Sequence, residues 1–489
     1  MTRINTNIPS LIAQQRLNRS GLDLQTRLER LSTGLRINRG KDDPAGLIIS
    51  ERLGTDIASI TQAIKNGERA SAVIATTEGS LTEITDLLNS IKALAVEAAN
   101  TGALSDEERS ANQLQIDSAI QSITRISNTA SFGGLKLLDG SLDYLTSGIV
   151  SSEISRASIT SASFISSSTI NVDVDVLSSA QKGNLYLSGD NSANPAIDGV
   201  IVSQTTIQIR GPEGVRELVL QADQALSSVV AAVNGLTAVT GVEASLMGAD
   251  STSGIVFSSA EYGTGSFVSV ERVDAAVSGE FSLDALDGNA PIPGTAAGIW
   301  ASGSLIADTK YDEGANVSAL INGVLATGDG LNISVNSPTL GMELLLAEAF
   351  AIDPTITAST FDITGGGALF QLGPDITPLQ QTNIGIQSTA AENLGGTLIN
   401  GGLEFLSSLR TGNTNSLDNA SERNDFSALQ KIVDNAIDDV SIQRGRLGAF
   451  ERNVLDTNRR SLQSAFENLT ASRSIIRDAD FSQETSALT

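Results

Sequence analysis

The chain has 489 residues, a formal net charge of −25, no histidine and no cysteine. The absence of imidazole and thiol groups excludes His-based acid–base catalysis, thiolate nucleophiles, disulfides and the common zinc ligands. The acidity disfavours nucleic acid as a partner, no apolar run reaches the roughly 18 residues of a membrane helix, and the N-terminus lacks the layout of a cleavable signal peptide. We therefore expect no enzyme activity, no cofactor, no metal, no nucleic-acid partner and no membrane insertion.

The first 42 residues predict one amphipathic helix followed by a turn. The apolar stripe of this helix has a 4-3-4 spacing and consists of Leu24, Leu28, Leu31 and Leu35. Gly34 and Gly40 then interrupt the pattern. Asp42-Asp43-Pro44 is typical of a helix start, with acidic residues near the N-terminus and proline in the first turn.

A longer amphipathic helix follows, and no proline interrupts residues 45–130. Asn100-Thr101-Gly102 predicts its end, and Ser105 with Glu108 predicts a capping box that opens another helix. The stripe of the long helix consists of Ile49, Leu53, Ile57, Ile60, Ile64, Ile74, Leu81, Ile84, Leu88, Ile91 and Ala95, and that of the next helix of Ile116, Ile120, Ile123 and Ile126.

Residues 141–400 lose the helical period and become rich in Ser, Thr, Gly and Val. They contain eight of the ten prolines, and their six basic and 27 acidic residues give −21 of the total charge of −25. Thr205–Ile209 and Glu217–Leu220 predict a hairpin, 225–233 a short helix and Gly241–Leu246 a further strand. Like charge keeps such a region solvated and away from its neighbours.

Two shorter patterns in this region leave alternatives open. The alternation VDVDV places Asp173 and Asp175 on one side of a strand, where they are either a metal-ligand pair or, as we prefer, the wet face of the strand. The Ser/Thr-rich stretch 157–169 is either an O-glycan site or, again preferred, a solvated strand or loop.

The apolar period returns near the C-terminus and predicts a helix from about 424 to 478. At about 1.5 Å per residue such a helix is about 80 Å long, and a helix of that length needs partner helices along it. Its stripe consists of Phe426, Leu429, Val433, Ile437, Val440, Leu447, Val454, Leu462, Phe466 and Leu469.

We therefore predict an α+β protein, in which both chain ends form a long antiparallel helical bundle and the middle is a β-rich insertion of one or two lobes. The predicted boundaries are 1–42 for a core helix and connector, 43–140 and 401–478 for the two halves of the helical rod, 141–400 for the insertion and 479–489 for the start of a C-terminal core segment.

Three stretches carry a family resemblance. LSTGLRINRGKDDPAGLIISERL (31–53), SFGGLKLLDG (131–140) and the C-terminal stretch 441–489 closely resemble bacterial flagellin, the subunit of the flagellar filament. The resemblance covers about 1–140 and 420–489. It implies a helical core built from both ends, a variable outer insertion, and a secreted structural protein that works by self-assembly in motility.

The resemblance also implies roles for stretches of the chain. Residues 1–35 resemble the innermost filament helix and the export-recognised segment, and 43–140 with 424–478 resemble the rod that packs against other subunits. The rod positions that we expect in assembly are Leu53, Ile57, Ile60, Ile64, Leu88, Ile91, Val433, Ile437, Val440 and Leu447, next to the core-helix leucines. The connector motif consists of Gly34, Arg36, Asn38, Asp42, Asp43, Pro44 and Gly46.

Two departures from the family pattern lead to further expectations. Flagellins continue with one more amphipathic helix after the stretch that resembles DADFSQETSALT, so we expect this chain to lack that helix and residues 1–35 to lack a partner. The family segment bound by a vertebrate Toll-like receptor aligns with Asn89–Val96. Leu94 matches its apolar contact, but Ser90 replaces its basic residue and Gln115 its acidic one.

The expected partners are further copies of the chain, the flagellar export apparatus with its chaperone, and the cap and hook-associated proteins of the filament. The expected location is extracellular, in the flagellum, reached without a cleaved signal peptide. Two alternatives stay open at this point: the hook–filament junction protein, and a secreted adhesin whose middle region is the binding module.

Overall fold

The computed structural model describes residues 7–100, 104–164, 169–188, 201, 204–246, 254–273, 283–286, 305–307, 310–337, 339–352, 358–399, 402–423 and 425–488. These residues divide into two compact units. The first combines 1–78, 369–382 and 444–489, and the second combines 79–368 and 383–443. Each unit is described by itself below.

Long helices occupy both ends of the chain, and short ones interrupt the strands between them. The α-helices of the described part are α1 (Ile8–Thr33), α2 (Pro44–Ala98), α3 (Asp106–Thr129), α4 (Leu226–Asn234), α5 (Thr237–Thr240), α6 (Glu348–Ile352), α7 (Leu417–Arg423), α8 (Ser427–Phe450), α9 (Asp456–Arg477) and α10 (Phe481–Leu488). Short 3₁₀ turns lie at Pro378–Gln380 and Leu406–Leu409.

The strands between the helical ends are β1 (Ser131–Phe132), β2 (Leu135–Lys136), β3 (Tyr144–Ser147), β4 (Ile154–Ala162), β5 (Ile170–Ser178), β6 (Asn184–Ser188), β7 (Thr205–Gly211), β8 (Gly214–Leu220), β9 (Val242–Leu246), β10 (Gly254–Ser259), β11 (Phe267–Arg272), β12 (Leu283–Leu286), β13 (Leu305–Ala307), β14 (Tyr311–Glu313), β15 (Ser318–Ile321), β16 (Val324–Leu325), β17 (Thr327–Asp329), β18 (Asn332–Asn336), β19 (Leu340–Leu346), β20 (Ser359–Gly366), β21 (Ala368–Gln371), β22 (Gln381–Ile384), β23 (Thr397–Ile399) and β24 (Gly402–Glu404).

The helix boundaries follow from capping chemistry. Ser105 caps α3 as predicted: its hydroxyl accepts from the Glu108 backbone N–H, and the Glu108 carboxylate accepts from the Ser105 N–H. This reciprocal pair satisfies two backbone donors that the first turn leaves open. The helix α2 begins at Pro44, as the Asp42-Asp43-Pro44 pattern predicts, and ends at Ala98. Residues 101–103 of the predicted end signal lie outside the described residues.

The predicted helix over 424–478 is divided by a π-helical turn. Residues Glu451–Leu455 form this turn between α8 and α9. A π turn holds one extra residue and rotates the following face of the helix. Leu455 is therefore buried, whereas Val454, which the regular period places on the stripe, is only half-buried.

The helix α2 runs antiparallel to α8 and α9, as the common apolar period predicts. Within the first unit, α2 contacts α9 and the π turn, and within the second unit the end of α2 contacts α8. The contacts are Glu51 with Arg477 at 2.7 Å, Ser71 with Glu451, and Lys92 with Asp434 at 2.6 Å.

The middle region forms two lobes, each with its own apolar core. The first lobe contains the sheets β16-β15-β5-β20-β3 and β17-β18-β19-β4, around a core that includes Ile333, Leu344 and Phe361. The second lobe contains the sheets β13-β12-β6-β10-β9 and β14-β11-β7-β8, around a core that includes Ile207, Val229 and Phe257. The described strand pairs of both lobes are antiparallel, so one face of each sheet can face water.

The hairpin, short helix and strand predicted for 205–246 all lie in the second lobe. The predicted hairpin is β7 with β8, paired from Thr205–Leu220 to Gly211–Gly214, the short helix is α4, and the strand predicted from Gly241 begins at Val242. The alternation predicted for VDVDV is present in part: Val172 and Val174 are fully buried and Asp175 is exposed, but Asp173 is half-buried. No group of metal-ligating side chains occurs among the described residues.

Of the Ser/Thr-rich stretch 157–169, residues 157–162 belong to β4 and residues 165–168 lie outside the described part. Within the described residues, none of the helices combines the length and the apolar character that crossing a membrane requires.

Candidate functional site

The two chain ends meet at a short antiparallel crossing, and this crossing builds the connector. Leu35 pairs with Asp478 in an isolated β-bridge. The Arg36 N–H donates to the Arg477 carbonyl at 2.7 Å, and the Ala479 N–H donates to the Gly34 carbonyl at 2.9 Å. The link from α1 to α2 is thereby fastened to the link from α9 to α10.

Two residues of the connector motif, Gly34 and Arg36, stabilise this crossing. Gly34 ends α1 with φ 71°, a left-handed conformation in which glycine carries no steric cost. The Arg36 guanidinium donates to the Ile476 carbonyl at 3.2 and 2.5 Å. It thereby satisfies a carbonyl in the last turn of α9, and its positive charge is stabilised by the negative end of the helix dipole.

The remaining connector residues form the turn before α2. Asp42 accepts from the backbone N–H groups of Asn38 at 3.1 Å and Arg39 at 2.8 Å. These bonds, that of Arg39 foremost, lower the pKa of the Asp42 carboxyl. Asp43 accepts from the Gly46 N–H at 2.8 Å and so caps α2, whose first residue is Pro44.

The helix α10 is fastened to α1 by a carboxylate that the sequence analysis did not single out. Glu484 is 8% exposed and accepts from Arg27 at 3.1 Å and from Arg30 at 3.0 Å. The apolar stripe of α1 does not provide a buried seam, because Leu24 and Leu28 remain 49% and 51% exposed. Ion pairs therefore hold α10 to α1, and the apolar face of α1 remains exposed to solvent.

The rod residues chosen from the sequence fall into two groups. Ile60, Leu88, Ile91, Val433, Val440 and Leu447 are buried; Leu53, Ile57, Ile64 and Ile437, like the core-helix residues Leu31 and Leu35, are half-buried. The buried group forms the interior of the helix pairs. The half-buried group keeps part of its apolar surface accessible to solvent, and its role in assembly stays a prediction.

The possible receptor-facing segment is accessible in part. Ser90 and Gln115 are exposed and Leu94 is half-buried. Receptor contact through these residues stays a prediction.

A second joint holds the first lobe to α8. Asp439 accepts from Arg156 of β4 at 3.1 Å and from the Gly395 N–H at 3.0 Å. Gly395 has φ 74°, and a Cβ there would clash with the Ile432 carbonyl, so the chain returns to the helix at close range. Sequence periodicity could not find this joint, because a helical stripe reports apolar faces and Asp439 lies beside the stripe.

Several described charged side chains form ion pairs between different elements of the fold. A cleft of about 500 Å³ next to α8 contains Arg156 with Asp439 and Lys431 with Glu261. Among the described residues no group of metal-ligating side chains is assembled there.

Comparison with known families agrees with the motifs. The model of the bacterial flagellin N-terminal helical region matches residues 4–143, and that of the bacterial flagellin C-terminal helical region matches residues 430–489. The second match contradicts our expectation that the C-terminal helix of the family is missing. The contact of α10 with α1 also contradicts the expectation that residues 1–35 lack a partner.

Two relatives show the extent of the similarity. The chain is 47% identical over 138 residues to the B-type flagellin of Pseudomonas aeruginosa and 42% identical over 135 residues to the phase 1 flagellin of Salmonella naestved. These alignments cover 28% of this chain and 28% and 26% of the relatives, so the chain matches just over a quarter of the length of either relative.

Two solved structures of flagellar proteins align with parts of the chain at low scores. The flagellar hook-associated protein-3 of Legionella pneumophila aligns over 86% of this chain and 97% of its own at 12% identity and a TM-score of 0.31. The flagellar cap protein D1-D2-D3 domains of Escherichia coli align over 52% and 64% at 16% identity and a TM-score of 0.28. At these scores the overall structures differ, and no functional conclusion follows from them.

Proposed function

We propose that the protein is a structural subunit that self-assembles into a bacterial flagellar filament, since models of the flagellin N- and C-terminal helical regions match its two ends. One observation carries this proposal. The segments matched by the two flagellin models contain the helices that pair with each other, α2 with α8 and α9 and α1 with α10.

The structure supplies the physical requirements of such a subunit. A filament is a heterologous, non-closing assembly, so each copy must present both halves of every contact. The exposed apolar residues of α1 provide a surface that water disfavours and a second copy could cover. They are Ile8, Leu11, Ile12, Leu17, Leu22, Leu24 and Leu28.

The division of labour follows the sequence boundaries. In this proposal 1–42 and 479–489 are the core segments, 43–140 and 401–478 the rod, and 141–400 the outer insertion. The excess negative charge of the insertion, −21 of −25, keeps these parts solvated while the nearly neutral ends pack. We propose a structural role for the protein and no catalytic one.

The location and remaining partners follow from the family resemblance. The protein would be exported by the flagellar apparatus with a chaperone, without a cleaved signal peptide, and would act outside the cell. There it would contact the cap and hook-associated proteins as well as its own copies.

Seeded polymerisation tests the proposal. Short fragments of salt-precipitated protein are added to purified monomer, and electron microscopy records growth. We expect regular filaments that lengthen from the seeds. The double variant Leu24→Asp/Leu28→Asp should remain folded, because both side chains are half exposed, and should fail to elongate seeds.

The matched control is Val324→Asp, which changes an equally exposed apolar residue of the insertion and should elongate normally. A folded wild-type monomer that never elongates its seeds would refute self-assembly. Normal growth of the α1 double variant would refute the proposed role of the apolar face.

A further inference from the structure

The strand order makes the chain pass between the two lobes twice. A third segment also lies at this crossing. The required segments are 178–184, which leads into β6, and 312–317, which leads back to β15. They are tied by reciprocal bonds of 2.9 Å between the backbones of Gln181 and Ala315. The third segment is the loop 260–266 between β10 and β11, which we call the strut.

The strut belongs to the second lobe and bonds to α6 of the first lobe and to the crossing segment 312–317. The Tyr262 hydroxyl donates to Glu348 of α6 at 2.6 Å. The Thr264 N–H donates to Asn316 Oδ1 at 3.0 Å, and the same oxygen accepts from the Gly330 N–H at 2.9 Å. Asn316 therefore joins the strut to the turn between β17 and β18.

The packing at this crossing leaves no room for side chains. Gly263 has φ 102°, and a Cβ there would lie 2.5 Å from Asn316 Oδ1 and 2.8 Å from the Gly330 Cα. A Cβ on Gly183 would lie 2.7 Å from the Asp312 carbonyl oxygen. Backbones thus pack directly on backbones, and close packing of this kind resists bending because any rotation creates overlap.

We propose that the strut joins the two lobes into one rigid body. A two-segment connection with one β-bridge can bend about the line through both segments. A third attachment away from that line blocks the bend, as the contacts of Tyr262 with Glu348 and of Gly263 with Gly330 do here. The exposed ion pair between Glu261 and Lys431 adds little, since surface pairs contribute about 0–1 kcal/mol.

Distance measurement between spin labels tests the inference. The chain has no cysteine, so Val219→Cys on β8 and Val324→Cys on β16, which are 47% and 48% exposed, place one label on each lobe. We expect a single peak no wider than the labels themselves allow. Gly263→Ala should detach the strut and broaden the distribution at least twofold.

The chain contains a matched control two residues away. A Cβ on Gly265 meets nothing within 4 Å, so Gly265→Ala should leave the distribution narrow. If Gly263→Ala fails to fold by circular dichroism, Asn316→Ala takes its place and should broaden the peak likewise. A broad or multiple distribution in the parent overturns the inference, and so does an unchanged narrow peak in the folded strut variant.

Discussion

Replacing Glu484 by glutamine should release α10 from α1. Its carboxylate accepts from both Arg27 and Arg30, and α10 has only eight residues, too few for a helix to be stable by itself in water. Glutamine keeps the size of the side chain and loses the charge. The change therefore addresses the ion pairs and leaves packing almost as it was.

The expected magnitude lies between two limits. Exposed ion pairs contribute about 0–1 kcal/mol, and removing one partner of a buried pair costs about 3–5 kcal/mol. The Glu484 side chain is 11% exposed, but those of Arg27 and Arg30 are 36% and 28% exposed, so solvent screens the pairs in part. We expect a loss of about 1–2 kcal/mol in the free energy of opening α10, between the limits given.

Hydrogen exchange of the backbone amides in 481–488 measures this opening. A loss of about 1–2 kcal/mol corresponds to exchange about 5- to 30-fold faster. The amides of α8 should exchange as before. The control is Glu467→Gln, the same chemical change at an exposed position of α9.

Unchanged exchange over 481–488 in the Glu484 variant would show that the charge contacts do not hold α10. Faster exchange in the Glu467 variant would show instead that any loss of negative charge near this end is sufficient. Either result would refute the reasoning.

Two further predictions concern the second unit. Burial raises the pKa of Asp143 from 3.8 to about 6, so the folded state binds more protons than the unfolded state between these values and loses stability as the pH rises through them. Asp143→Asn should therefore stabilise the protein by about 1–2 kcal/mol at pH 8 and by little at pH 4, and urea denaturation giving equal changes at both pH values would contradict this. Asp439→Asn weakens the joint to Arg156 and should lower the unfolding free energy by about 1 kcal/mol, whereas exposed Asp438→Asn should not; equal melting temperatures of the two variants would count against the joint.

Much of the helical architecture was predictable from the sequence because it depends on local chemistry. The capping box at Ser105 and the start of α2 at Pro44 follow from backbone groups that a helix end must satisfy. The pairing of α2 with the C-terminal helices follows from two apolar stripes of similar length. The hairpin of β7 and β8 follows from period-two alternation around a turn.

Other features depended on contacts that periodicity does not report. The π turn Glu451–Leu455 contains no proline or glycine from which the sequence could have predicted it. The ion pairs of Glu484 with Arg27 and Arg30 join residues more than 450 positions apart. The contacts of the strut can be found only once the positions of both lobes are known. The sequence led us to expect no partner for residues 1–35, whereas α10 contacts α1 through Arg27 and Arg30 and leaves Leu24 and Leu28 half exposed.

The distance in sequence between paired residues also fixes when the rod can form. Glu51 and Arg477 are 426 positions apart, and a ribosome that adds about 5–20 residues per second needs about 20–85 s to cover that interval. During this time α2 has no C-terminal partner, and a lone helix is only marginally stable. A newly made chain therefore spends most of its synthesis with the N-terminal half of its rod uncovered, and any protein that binds that half before folding must reach it within this interval.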